Sequence, residues 1–479
     1  MNNYKATIGI EVHAELKTNT KVFSKAQNSY HALVNTASSI VDLGYPGVLP
    51  IVNQEVINKA LLAALALNCH INETMHFDRK NYFYPDLPKG YQITQSRTPI
   101  GYDGYLTIYN KEIGIERLHI EEDTCKSLHD NEKTLLNYNR AGVPLIEIVT
   151  KPVISSGEEA MLYLERLKEL LFYLDISDCK MEEGSMRADV NVSVSKDEKL
   201  GTKCEVKNIG SIKDVGIAIN YEIKRQIAKL EKGEQIIEET RKFDAKTNTT
   251  ILMRVKEVGN DYRYFPEPDI PYLYLTFEEI NKTKEKLYLL PDERRSIYLN
   301  KGIIEINVEK LIGNKKISDY LNNFLDTNIN FKIASNLLLG DISSYLNKNK
   351  EDLTNTKLTK EKFIELVTML DENIISSRIC KDILKDILTL DLSIKEILEK
   401  NNISLLSNQD ELTAIIKDVL KENPDSVKDY QNGKENAFKY LMGMVMKKTK
   451  GSANPQSVNA ILTNLLSNNV NWLLTSFHV

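Results

Sequence analysis

The sequence predicts an α+β protein: a large antiparallel-sheet domain, then an all-helical domain and a small helical tail domain. Three observations lead there. Up to about residue 290, several segments alternate apolar and polar residues with the period of a half-buried strand, and Pro and Gly interrupt them often. Past Pro291, prolines become rare and apolar residues recur at helical spacing among many charges. The polar run 401–410 then sets off a last helical stretch. The expected division is therefore 1–290, 291–405 and 406–479.

The first strand sets the pattern. In Thr7-Ile8-Gly9-Ile10-Glu11-Val12-His13-Ala14-Glu15, the residues Ile8, Ile10, Val12 and Ala14 share one face, and Glu11, His13 and Glu15 share the other. Acids are depleted from strands, so this polar face invites a chemical reading, metal ligation or proton handling, as readily as a solvent-exposed edge. Residues 53–68 read as a helix with Asn53 as cap. Residues 155–174 read as a second, capped by Ser155 or Ser156, with Glu158 and Glu159 in the first turn. Residues 213–232 read as a third, stopped by Gly233.

Three further strands resemble the first. Val143-Pro144-Leu145-Ile146-Glu147-Ile148-Val149 sets one acid in an apolar run. In Arg187-Ala188-Asp189-Val190-Asn191-Val192-Ser193-Val194, the valines alternate with Arg187, Asp189, Asn191 and Ser193. In 203–208, Cys204 and Val206 alternate with Lys203, Glu205 and Lys207. Such alternation suits an antiparallel sheet with one packed and one open face, and here the open face carries more acids, amides and bases than solubility requires.

Composition excludes several classes. The chain has 479 residues, 42% hydrophobic and 27% charged, which is ordinary for a globular protein. No apolar run is long enough to span a bilayer. No secretory signal is expected, and the five scattered cysteines form no C-x-x-C pair, so zinc-ribbon and dithiol readings fail and a reducing cytoplasmic setting is expected. A net charge of -5 confines any nucleic-acid binding to local basic patches. There is no P-loop, no Gly-rich dinucleotide fingerprint and no nucleophilic Ser or Cys signature.

Glu147 is the most informative acid. An unpaired carboxylate among Leu145, Ile146, Ile148 and Val149 would cost several kcal/mol, so it needs a cation or donor: an Arg such as Arg140, or a metal. After His119 come three acids, Glu121, Glu122 and Asp123, which fit a solvated turn or, with Glu11, His13 and Glu147, an oxygen-rich divalent site. The loops 80–92 and 261–269 mix Tyr, Pro and basic residues, suited either to packing or to holding bases and phosphates. Lys447, Lys448 and Lys450 precede a Gly-Ser helix start that offers charge and N–H groups to a phosphate, or is a solvated helix end.

These residues resemble a known family, the B subunits of the bacterial and organellar aspartyl/glutamyl-tRNA amidotransferases, over essentially the whole length. The strings that carry it are Ile8 to His13, 77–93, 139–149, 180–187, 261–268 and 447–455. The run Glu-Glu-Asp-Thr124-Cys125-Lys126, Gly210 and Met444 depart from the family's usual residues. The resemblance implies a cradle domain with an ATP-dependent kinase site, followed by helical tRNA-binding parts. It implies a glutamine-dependent ligase forming carbon–nitrogen bonds in a heterotrimer, whose other members are an amidase (the A subunit) and a small protein (the C subunit). The B subunit would phosphorylate the side-chain carboxylate of Glu or Asp on misacylated tRNA(Gln) or tRNA(Asn), and ammonia would displace the phosphate. By motif the divalent-metal ligands would be Glu11, His13, Glu122 and Glu147, holding Mg2+ and tolerating Mn2+. Arg187, Lys203 and Lys207 would add positive charge; Asp189, Asn191 and Glu205 would hold nucleotide or metal; Lys447, Lys448 and Lys450 would contact tRNA. A non-catalytic tRNA adaptor and a stand-alone amide ligase are the competing classes.

Overall fold

A computed structural model of the chain describes residues 4–130, 132–255, 262–401, 403, 409–449, 453 and 455–468. The chain divides into two compact units, Met1–Pro291 and Asp292–Val479. In the first, strand β1 (Lys5–Glu15) lies in the middle of a nine-stranded sheet. On one side of β1 the sheet continues with β10 (Pro144–Thr150), β7 (Lys111–Glu122), β6 (Gly101–Ile108) and β2 (His70–Ile71). On the other it continues with β11 (Met186–Ser195), β12 (Cys204–Lys207), β13 (Glu239–Asp244) and β14 (Thr249–Val255).

The alternation expected of β1 is realised in full. Ile8, Ile10, Val12 and Ala14 are completely buried on one face. Three helices cover that face. Helix α1 (Gln54–Ala66) starts at Asn53, whose side chain accepts from Glu55 N. Helix α2 (Gly157–Tyr173) is capped by Ser156, while Ser155 binds Glu159. Helix α3 (Ile212–Glu231) is capped by Ser211, and Gly233 just beyond it takes φ +75°, a left-handed turn that glycine adopts without strain. Val56, Leu61, Leu164, Leu167, Val215 and Ile219 join the strand residues in one core.

The sheet is not wholly antiparallel. β12 and β13 pair in parallel, because the α3 crossover carries the chain back to the end of the sheet at which β12 began. Smaller sheets flank the large one. β4 (Asp78–Asn81) pairs with β5 (Tyr91–Thr94) and with β15 (Phe265–Pro266), so the two Tyr- and Pro-rich loops meet. β3 (Thr74–Met75) pairs with β16 (Leu273–Tyr274), and β8 (Lys126–Asp130) with β9 (Lys133–Asn137).

The second unit is helical in its described residues, with a π-turn at Leu338–Ile342. Within it, the tail builds its own core from Leu412, Ile416, Leu441, Val445, Val458 and Leu462. No helix among the described residues is long and apolar enough to cross a membrane.

Candidate active site

The open face of the large sheet carries the chemistry. Register lines up His119 on β7, Glu147 on β10, His13 on β1 and Arg187 on β11 as one row across four strands. The next row pairs Glu11 with Asp189, and Asn191 pairs with Glu205 on β12. Period-two parity on four separate strands thus sets these side chains on one surface.

His13 Nε2 stands 3.3 Å from Glu147 Oε2 and 3.4 Å from Glu121 Oε1. His119 Nε2 approaches the same Glu147 oxygen at 3.3 Å. One ligand atom from each of His13, Glu121 and Glu147 lies within 4.8 Å of the others, a spacing that a single divalent cation could bridge. His119 Nδ1 is buried without a hydrogen-bond partner. Among the described residues no arginine pairs with Glu147: Arg140 turns instead to Asp123 at 3.5 Å and to the carbonyls of Thr124 and Cys125.

Glu122 is placed elsewhere. It follows Ile120 onto the other face of β7, where its carboxylate accepts from Lys89 Nζ and, at 2.9 Å, from Ile93 N. Glu121 holds the position by His13 that the motif assigned to Glu122. Nor are the three acids a solvated turn: Glu121, Glu122 and Asp123 are all buried, because β7 runs on through Glu122. From the sequence Glu121 was only one of three acids offered to a divalent site, the resemblance named Glu122 instead, and His119 was not chosen as a ligand. Counting by twos along β7 would have found both, since residues 119 and 121 share a face.

Glu11 sits one position along, accepting from Asn191 Nδ2 at 3.0 Å. Lys207 Nζ bridges Asp189 at 2.5 Å and Glu205 at 2.9 Å. Lys203 is exposed just before β12, outside the cleft lining. The cleft above this surface, about 340 Å³, is lined by His13, Glu121, Arg187, Asp189 and Lys207. Lys80 and Tyr82 line it from above, with the Lys80 ammonium 4.9 Å over the Tyr262 ring. In the tail, Lys447 is exposed and Lys448 pairs with Glu422 at 2.6 Å. Lys450 lies outside the described residues.

Electrostatics follow from crowding. Burial opposes charge on His13, yet its hydrogen bond to Glu147 and the nearby acids push its pKa up to about 9. Burial also works against the Glu147 carboxylate, but His119 and His13 hold it well below the usual range. Burial and the Glu147 charge push Glu121 and Glu11 up. Burial, with Asp123 nearby, lifts Glu15 to about 7. Burial opposes the charge of Lys207, and Asp189 and Glu205 raise its pKa.

Fold and cleft together define an α+β protein with a carboxylate–imidazole cluster beside fixed cations, a surface able to hold a metal ion and an anionic ligand. A family model described as the GatB/GatE catalytic domain matches residues 6–281, and one described as the GatB domain matches 319–466. The chain is 44% identical over 467 residues to the B subunit of the aspartyl/glutamyl-tRNA(Asn/Gln) amidotransferase of Lysinibacillus sphaericus, covering 96% of this chain and 98% of that one. It is 44% identical over 473 residues to the protein of that name in Enterococcus faecalis, covering 97% and 99%. It is 45% identical over 467 residues to that in Levilactobacillus brevis, covering 96% and 98%. The chain belongs to this family, the B subunits of aspartyl/glutamyl-tRNA amidotransferases.

Proposed function

We propose that this chain is the carboxylate-activating member of a glutamine-dependent tRNA amidotransferase, working with an amidase (the A subunit) and a small third protein (the C subunit). It takes Glu on tRNA(Gln), Asp on tRNA(Asn), or both. ATP phosphorylates the side-chain carboxylate, and ammonia then attacks the acyl carbon and expels phosphate. The observation that carries this reading is the row His119–Glu147–His13–Arg187 with Glu121, open to a cleft that also holds Lys80 and Lys207.

His13, Glu121 and Glu147 would hold Mg2+ or Mn2+, with Glu11 beside them. The oxygen-rich donor set suits either ion. A bound divalent cation supplies charge neutralisation for phosphoryl transfer. Lys207 and Arg187 do the rest of that work as permanent charges, each already oriented by a carboxylate, so little reorganisation is needed when phosphate oxygens arrive. Asp189, Asn191 and Glu205 fix Lys207 and Glu11 in place. Lys80, stiffened by Tyr82 and Tyr262, closes the cleft on the opposite side.

The test is amidation of both misacylated tRNAs by the reconstituted complex. ATP consumption that depends on charged tRNA, with product formed in proportion, is expected. Amidation without ATP turnover by this chain would leave it an adaptor. Full glutamine-driven activity from the isolated chain would make it a stand-alone ligase. Lys447, Lys448 and Lys450 are proposed to contact tRNA phosphates. Replacing Lys447 and Lys448 by Ala should flatten the log–log salt dependence of tRNA binding by up to about 2.

A further inference from the structure

The Tyr- and Pro-rich loop 82–88, which follows β4, walls a second hollow of about 450 Å³. Tyr82, Tyr84 and Asp86 line it from that loop, Tyr262 from the other Tyr-rich loop and Arg254 from the end of β14. Lys80, Tyr82 and Thr124 line both this hollow and the cleft of His13 and Glu121, so the two spaces adjoin. The volume falls within the ~300–1,000 Å³ of small-molecule sites.

Its walls are aromatic and fixed. Tyr84, Tyr82, Tyr262 and Tyr264 follow one another edge to face, with ring centres 6.2, 6.0 and 6.1 Å apart. Asn81 ties the two loops together: its N donates to Tyr262 O at 2.9 Å and its Nδ2 to Arg263 O at 2.8 Å. At the outer end of the row, Tyr84 is 60% exposed. An edge-on neighbour props that ring without covering its faces, which leaves it able to stack on a further flat group. Charge of both signs stands around it. Arg254 is exposed, and Asp86 accepts from Thr124 Oγ1 at 3.4 Å. A propped aromatic ring, a cation and a carboxylate match the base, the phosphate and the ribose hydroxyl of a nucleotide.

We propose that this hollow binds the 3′-terminal nucleoside of the aminoacylated RNA, with its base on Tyr84, the ribose hydroxyl beside the ester on Asp86 and the preceding phosphate at Arg254; this rests on the function proposed above. Covalent connectivity selects the ligand. The amino acid is esterified to the terminal ribose, so a side-chain carboxylate reacting beside His13 and Glu121 is only a few bonds from that ribose. The nucleoside must therefore occupy a space that adjoins the cleft. ATP is the other source of a nucleoside. Its γ-phosphate is the reacting group, and two further phosphates separate that group from its ribose, which carries its base farther from the reacting carboxylate.

The test uses the reconstituted complex with Tyr84→Ala, Tyr84→Phe and Arg254→Gln, whose altered side chains are exposed and should leave the thermal midpoint at wild type. In Tyr84→Ala the KM for charged tRNA should rise by about 10-fold, with the KM for ATP and the saturated kcat near wild type, and Tyr84→Phe should restore it. The direct probe is 3′-deoxyadenosine carrying Glu through a 3′-amide, a stable mimic of the esterified nucleoside. Its inhibition constant should rise by the same factor in Tyr84→Ala, while glutamate α-methyl ester, which has no nucleoside, acts alike on both proteins. Arg254→Gln should weaken charged tRNA and leave the phosphate-free nucleoside probe unchanged. A raised KM for ATP with that for tRNA unchanged overturns the proposal and gives the hollow to the base of ATP. Equal potency of the nucleoside probe on wild type and Tyr84→Ala also overturns it. A wild-type complex that shows no ATP-dependent amidation brings down the functional reading itself, a result distinct from either of these.

Discussion

Two clusters of buried charge lie on opposite faces of the same sheet. Behind it, against α3, Glu222 and Glu239 face Arg225 and Arg241: Arg225 contacts them at 2.6 and 2.7 Å, and Arg241 contacts Glu239 at 3.1 Å. Gln226 and Thr250 donate to Glu222 as well. Burial works against the Glu222 carboxylate, and the Arg225 hydrogen bonds hold its pKa below the usual value. On the open face, Glu121 and Glu147 are answered chiefly by His13 and His119. Both sets of acids are buried; the counter-charges differ in kind. Guanidinium is a permanent cation and closes the rear cluster. Imidazole is neutral or charged as its surroundings dictate, so the front cluster can exchange protons for a metal ion. The rear cluster holds the sheet's far strands to α3, while the front one is available for chemistry.

The strongest way to break this contrast is Glu147→Ala. Charged-tRNA-dependent ATP turnover should fall by about 10³-fold or more, with glutamine hydrolysis by the assembled complex retained. Loss of activity that simply tracks unfolding would place Glu147 in the same class as Glu222. Next, Arg225→Met should destabilise the chain by about 3 kcal/mol in denaturant titration, because two buried acids lose a shared partner, while kcat of the folded fraction stays near wild type.

A third comparison separates neighbours. Glu121→Gln should weaken Mn2+ binding by about 100-fold with little loss of stability. Glu122→Gln should leave Mn2+ binding unchanged and cost about 1–3 kcal/mol, because Lys89 is left buried with a neutral partner. The reverse result would restore Glu122 as the ligand. The smallest expected effect is on pH dependence. The His13 pKa is raised to about 9 from its ordinary 6.5. Its stabilisation is therefore complete below pH 6.5 and fades as pH climbs through 9, by about 3 kcal/mol in chelated protein. Glu15, raised to about 7 from 4.5, also favours its protonated form in the fold, but that contribution is largely gone by pH 7. His13→Asn should flatten the thermal-midpoint profile between pH 7 and 9, and saturating Mn2+ should remove the decline.

Much of this was legible in the chain. The apolar face of β1, the caps at Asn53 and Ser156 and the stop at Gly233 follow from local rules, since each depends on residues a few positions apart. The shared polar surface of β1, β10, β11 and β12 was legible for the same reason. The parallel β12–β13 pair was not, because strand direction depends on where the α3 crossover delivers the chain. Glu122 shows a different limit. The motif named Glu122 as the ligand, whereas the structure sets Glu121 beside His13; the two differ by one residue and so by a whole face.

By itself the sequence determined family, element types and which side chains face away from the core, because hydrophobic periodicity and long ordered motifs are carried along the chain. Only the tertiary structure decided which of those side chains meet. Strand register set His119 beside Glu147 and His13, and the fold brought Lys89 to Glu122 on the other face of β7. Contacts between residues far apart along the chain are fixed by packing and pairing, and no local rule encodes them.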